Sequence, residues 1–390
     1  METRFVTSAE IRKKNLFFLT ALVCVAAPGF AAIKAVGIIG LWIYIASTSP
    51  LTMGSILWLA SIVMNLAVWS EVALFYHVPT ADIANQLSRI LVLYLVLGLS
   101  VFMARAGLFN LLTADRLILS ITVAAAVFKI AILTAVLSGW LSLDTVQAGL
   151  GFETVTDDIG FGLQRLQFPS DISLIFLVVS YSGGKRKTID FLFLICATID
   201  IFLSFSRFLF AAYLVCLILR YVRMRKLDQV SITALSVVLV VMAVFSVSLV
   251  TRFHSGGTES SDDTRVEQIS KLSGVIVQHP LLGTGLGSSV NNYKRSSAIA
   301  FSYEVQWYAM AMQLGFLGLT WFFLNLLAPF SRCLRAPVRF GIFLSVFALW
   351  FAAGFTNPVI TSLGGAFGLG LLMLVLTRDA DNLQHSLQAT

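Results

Sequence analysis

The chain has 390 residues, of which 58% are hydrophobic and only 12% charged, with a net charge of +7. Soluble domains carry roughly twice that charged fraction, so a soluble enzyme or binding module is excluded. The positive balance could suit nucleic acid, but the basic residues sit in short clusters between apolar runs, as they do in the inner loops of membrane proteins.

The N-terminal "RKKNLFFLTALVCVAAPGFAA" imitates a signal peptide. It reads instead as an uncleaved first span, because apolar segments continue along the rest of the chain. Runs near twenty residues predict membrane-crossing helices. The fold class is therefore an all-α polytopic membrane protein, one integral membrane domain over residues 1–390. Twelve spans are expected, at about 15–33, 36–50, 53–76, 88–104, 117–139, 171–182, 188–204, 207–221, 230–250, 303–327, 340–355 and 359–377. With both termini cytoplasmic, 17 of the 27 Lys and Arg fall inside, which supports that orientation. Two outer loops result, 140–170 and a larger one at 251–302 between spans nine and ten. A long segment on one side places the work on that side. Of Cys24, Cys196, Cys216 and Cys333, three lie in apolar runs and none forms a CxxC pair, so neither a disulfide framework nor a zinc site is indicated.

Lys129 falls within the fifth span and reads either as a ligand for a lipid phosphate or as a partner of a carboxylate. Further on, the apolar run from Ile189 to Leu219 is broken only by Asp190, Thr198, Asp200, Ser204, Ser206 and Arg207. Basic clusters at 185–187 and 220–226 flank it, so an even number of crossings must separate them. At about 1.5 Å per residue the segment is too long for one straight helix across about 30 Å. A hairpin fits, with its turn near Ser204–Arg207 at the outer end. Arg207 then faces a cavity open to that side, which is a functional position by default. Alternatively it snorkels to the interface or pairs with Asp200. On a continuous helix Asp200, Ser204 and Arg207 would share one face.

In the long outer loop, "SDDTRVEQISKLSGVIVQHP" predicts a helix. Thr264 and Glu267 fit a capping box. Val266, Ile269, Leu272 and Ile276 form an apolar stripe, and Pro280 ends the helix. Arg265 then sits in the first turn, where the helix dipole disfavours a cation; an anionic partner elsewhere, or plain solvation, accounts for it. "GTGLGSS" at 283–289 follows no strand, so a tight turn is expected rather than a dinucleotide loop. "SDDT" and "VTDDI" lack metal-ligand spacing, and no metal is expected. At the start of span ten, Glu304 is either a general base or an interfacial residue paired with a loop arginine. Tyr303, Trp307 and Tyr308 read as sugar-stacking aromatics or as interface anchors. Asn357 bonds substrate or marks a turn. Arg252 marks the interface or joins the site, and His77 and His254 read as exposed loop histidines.

Taken together, "SFSR" at 204–207, Arg265 ahead of "HPLLGTGLG" at 279–287, "YEVQWYAMAMQLGFLG" at 303–318 and "FTNP" at 355–358 resemble the bacterial O-antigen polymerase and O-antigen ligase superfamily. The resemblance implies a metal-independent, inverting glycosyltransferase without cofactor at the periplasmic face of the inner membrane. Its donors would be glycans on undecaprenyl diphosphate. By that resemblance Arg207 and Arg265 bind the diphosphate, with Arg252 as a third participant, and Glu304 orients or deprotonates the acceptor hydroxyl. Asp200, Ser204, Lys129, Tyr303, Trp307 and Asn357 are the further candidates for substrate contact. Ligases carry His-Asn where this chain has Glu304–Val305, which favours the polymerase branch and removes a histidine base. A chain-length regulator is an expected partner. The alternatives are a ligase, a flippase for the same lipid-linked oligosaccharide, or a scaffold. No internal repeat of the transporter kind is evident.

Overall fold

The computed structural model describes residues 8–26, 31–48, 52–105, 111–142, 144–146, 165–183, 187–224, 236, 256–291, 293, 299–335, 337–355 and 360–388. Among these the regular elements are helical: α1 (Ser8–Ala26), α2 (Ala31–Thr48), α3 (Met53–Phe75), α4 (Thr80–Arg105), α5 (Leu111–Leu137), α6 (Ser173–Ser180), α7 (Lys187–Ser204), α8 (Arg207–Met224), α9 (Gly256–Gln278), α10 (Gln306–Leu327), α11 (Pro337–Ala353) and α12 (Leu363–Gln388). Short 3-10 turns at Pro169–Ile172 and Ala328–Arg335 lead into α6 and follow α10. Four stretches, Met53–Phe75, Thr80–Met103, Leu112–Leu137 and Gln306–Ser331, are long and apolar enough to cross a membrane. The all-helical expectation holds among the described residues, and four of the twelve expected spans have helices with the length and hydropathy to cross a membrane. The ninth, 230–250, lies outside the described residues apart from Ser236.

The bundle buries a short helix at its centre. Every residue of α6 is buried, and the first half of α12 packs on it with Ala366, Phe367, Leu371 and Leu374 fully enclosed. The peripheral helices keep Leu19, Ile43, Leu57, Val63 and Val127 exposed. Apolar side chains on that scale belong in contact with lipid, as expected of an integral membrane protein.

The hairpin expected near Ser204–Arg207 is present. Phe205 adopts φ 43 between α7 and α8, so the helix does not continue and Asp200 and Arg207 are on different helices. A left-handed non-glycine residue costs roughly 1–2 kcal/mol. Burial of Phe205 at 3% exposure, edge-on to Phe210, offsets it. The last carbonyls of α7, which no helical amide can reach, are met by the returning loop: Leu166 N–H donates to Leu203 O at 2.8 Å and Arg165 Nε to Ser204 O at 3.2 Å.

A second irregularity sits in α10. Gly315, at φ 60, interrupts the helix, and the turn at 280–285 fills the breach. Phe316 and Leu317 N–H donate to Pro280 O and Leu281 O; Thr284 and Gly285 N–H donate to Met312 O and Gln313 O, all at 2.8–3.1 Å. Gly285 lies so close to α3 that a Cβ would stand 2.1 Å from Ala73 N. The glycine segment is thus a backbone wedge between α3 and α10, in line with the tight-turn expectation.

The outer-loop helix differs from expectation. It starts at the glycine pair Gly256–Gly257, eight residues before Thr264, because nothing in the intervening "TESSDD" stops a helix. Thr264 is therefore interior rather than a cap, and Arg265 is not in the first turn. The buried face is also rotated: Leu272 is fully buried with Ile269 and Ile276 beside it, whereas Val266 is 64% exposed.

Candidate functional site

The α9–α10 junction brings two of the expected site residues together. Leu272, Ile269 and Ile276 of α9 pack against Val305, Ala309 and Met312 of the α10 entrance. Gln268, wholly buried on that face, accepts the Glu304 backbone N–H through Oε1 at 2.9 Å. Arg265 lies three residues earlier on the same side of the helix, so its guanidinium reaches the same strand of chain. Its Nε stands 2.8 Å from Glu304 Oε2. The two side chains are 23% and 13% exposed, although the facing Nε and Oε2 atoms are themselves buried, so the pair is open to ligand and solvent only at its margin. Of the two readings of Glu304, pairing with a loop arginine is what the resting geometry contains.

The neighbouring aromatics are held firmly. Tyr303 stacks parallel to Tyr293 at 6.4 Å; its hydroxyl accepts Val290 N–H at 2.9 Å and donates to Tyr293 O at 3.2 Å. Trp307 is 5% exposed, stacked on Phe351 at 4.8 Å, and donates Nε1–H to Phe351 O at 2.7 Å. Tyr308 meets Phe355 edge-on.

A second charged cluster lies inside the bundle. Lys129 Nζ on α5 is 2.5 Å from Asp200 Oδ1 on α7 and 2.9 Å from Asp171 Oδ2 ahead of α6, and it donates to Asp200 O at 2.9 Å. Asp171 also accepts Phe168 N–H at 2.9 Å, and the ammonium lies 5.2 Å over the Phe168 ring. Exposures of 0%, 2% and 3% for Lys129, Asp200 and Asp171 enclose the cluster completely. Of the two readings of Lys129, it is the carboxylate partnership that the packing contains. Ser204 is buried too, its hydroxyl donating to Ile201 O at 2.6 Å.

The remaining expected residues divide by position. Arg207 is the first residue of α8, at the hairpin tip, with only its backbone described. Arg252, His254 and Asn357 lie outside the described residues. His77 is exposed at the end of α3, whereas His279 faces Tyr76, Nδ1 to hydroxyl, at 3.0 Å. Among the described residues no group of three or more His, Cys, Asp or Glu side chains is placed to hold a metal ion. Sequence reasoning missed Asp171, Gln268 and Arg89. Asp171 had a local signal, a carboxylate two residues after Pro169 at a helix start. Gln268 and Arg89 had none, because what singles them out is the neighbouring helix.

Comparison with known proteins adds one finding. Residues 192–323 match the family model described as O-Antigen ligase. That third of the chain begins in α7 and ends in α10, and so contains the hairpin, α9, the glycine wedge and the Arg265–Glu304 pair. No curated protein and no solved structure matches the chain.

Proposed function

We propose, from the membership of the O-antigen ligase and polymerase superfamily that the match over residues 192–323 supports, that this integral membrane glycosyltransferase is a polymerase. It joins oligosaccharide repeat units carried on undecaprenyl diphosphate, at the periplasmic face of the inner membrane, with both termini cytoplasmic. The observation carrying this reading is the 2.8 Å Arg265–Glu304 pair inside the matched segment. A guanidinium already holding one oxyanion, partly open to solvent, is placed to exchange it for a diphosphate oxygen.

The exchange gives both residues a role. Donor diphosphate takes over Arg265, and the displaced Glu304 carboxylate accepts the proton of the acceptor hydroxyl. The oxygen attacks the anomeric carbon from the face opposite the leaving group. The carbon–oxygen bond to the diphosphate breaks, its electron pair departs with undecaprenyl diphosphate, and the configuration inverts. Arg265, together with Arg207 from the hairpin tip, offsets the charge growing on the leaving group. Tyr303 and Trp307 act here by fixing the entrance of α10.

A ligase is the second reading, favoured by the description of the matching family model. Glu304 in place of a histidine is the observation against it. Purified protein in liposomes, given undecaprenyl-diphosphate-linked repeat units and a chelator, tests the assignment. A ladder of longer lipid-linked glycans with free undecaprenyl diphosphate is expected. Product appearing only once lipid A core is added makes the protein a ligase, and passage of the lipid across the bilayer without either product makes it a flippase.

A further inference from the structure

The first turns of α4 and the entrance of α10 border a shallow cleft that opens to its surroundings. Its walls include Gln86, Arg89, Phe301, Tyr303, Gln306 and Thr361.

The cleft is charged on one side only. The Arg89 guanidinium carbon stands 5.6 Å from the Phe301 ring centroid, and its Nε donates to Asn85 Oδ1 at 3.0 Å. Among the described residues the Arg89 side chain makes no hydrogen bond through its two terminal nitrogens, and that edge of a guanidinium grips oxyanions in pairs. Among the described residues no carboxylate lines the cleft. The facing groups are neutral and already oriented. Gln306 Oε1 accepts Ile360 N–H at 2.8 Å, and its Nε2 donates to Thr361 Oγ1 at 3.3 Å. Gln86 bonds Gln313 and the Gly287 N–H, and Gln313 Nε2 donates to Ser288 O at 2.9 Å. Holding a guanidinium this way without a counter-charge is costly unless a ligand supplies one.

We infer that this cleft is an oxyanion-binding subsite in which Arg89 grips an acidic group of the glycan substrate. The gripped group is the carboxylate of a sugar acid, or else a phosphate of the lipid carrier; the neutral amides and the Thr361 hydroxyl bond the surrounding sugar. That the ligand is a glycan rests on the function proposed above; that the cleft takes an oxyanion does not.

The test is arginine-specific footprinting of the wild-type protein in nanodiscs. Phenylglyoxal modification at Arg89 is followed by peptide mass spectrometry with no ligand, glucuronate, glucose or pyrophosphate, at matched ionic strength. A protecting ligand at about ten times its dissociation constant should slow modification about tenfold, in proportion to the free fraction. Protection by glucuronate and not by glucose assigns the cleft to an acidic sugar. Protection by pyrophosphate alone assigns it to the carrier's phosphates. Equal rates in all four conditions, or protection by glucose matching that by glucuronate, overturns the inference. Because nothing here depends on turnover, failure of the polymerisation assay leaves the result readable. The Arg89→Gln protein supplies the second measurement: with its α-helical circular dichroism intact, it should lose the anion-dependent protection of neighbouring Ser88 and Ser302 from hydroxyl-radical labelling, and retention of that protection also overturns the inference.

Discussion

Two ionic groups in this molecule are built to opposite specifications. Lys129, Asp171 and Asp200 are sealed among α5, α6 and α7, where the ammonium meets both carboxylates and Asp171 also accepts a backbone N–H. Arg265 and Glu304 stand at a helix junction with a quarter and an eighth of their surface open. Charges placed deep in a bundle are expensive, so they persist only where partners surround them, and they then fix how helices sit. A partly open pair has little to lose when a ligand replaces one member. The first arrangement suits holding the scaffold, the second suits exchange, although both looked alike as charged letters in an apolar sequence.

That contrast breaks most readily at Lys129. Lys129→Met leaves two buried carboxylates facing each other, and should lower stability by about 3–5 kcal/mol. Thermal unfolding in detergent checks it; an unchanged midpoint would mean that the buried cluster does not hold α5 to α7. Next in size is Gly285→Ala. Its Cβ collides with the Ala73 backbone at a residue with φ 86, so the wedge between α3 and α10 must shift, costing about 1–3 kcal/mol. The same melting assay reads it, and a neutral result would show that the wedge yields freely. Smallest in stability is the partly open pair. Arg265→Lys and Glu304→Gln should each move stability by no more than about 1 kcal/mol, yet lower polymerising activity at least about tenfold, because lysine lacks the bidentate fork and the amide cannot take a proton. Full activity in Glu304→Gln would make Glu304 a positioning residue only, and a stability loss as large as that of Lys129→Met would erase the distinction between the two regions.

Much of the frame was legible in the residues alone. Composition and run length gave the all-helical membrane class, and the spacing of flanking basic clusters located the α7–α8 turn, realised at Phe205–Ser206. Both follow from the bilayer, whose thickness and polarity act on every residue alike. The α9 start was misplaced because a capping box is a local motif and carries no information about whether helix extends beyond it. The rotated face of α9 was likewise hidden: Val266 and Leu272 are equally apolar letters, and only the position of α10 exposes one and buries the other.

The site divides along the same line. Which residues carry charge inside an apolar chain was determined by the sequence, since any such residue stands out against hydrocarbon. Which charge meets which was decided by the tertiary structure. Lys129 found carboxylates 42 and 71 positions away (171 − 129 and 200 − 129), Arg265 found Glu304 across a helix junction, and Arg89 on α4 found Phe301 in the turn ahead of α10. Helical periodicity reports a residue's own face and reaches only a few positions along the chain. Pairing across helices depends on how whole surfaces pack, and that packing is set by all the buried side chains together.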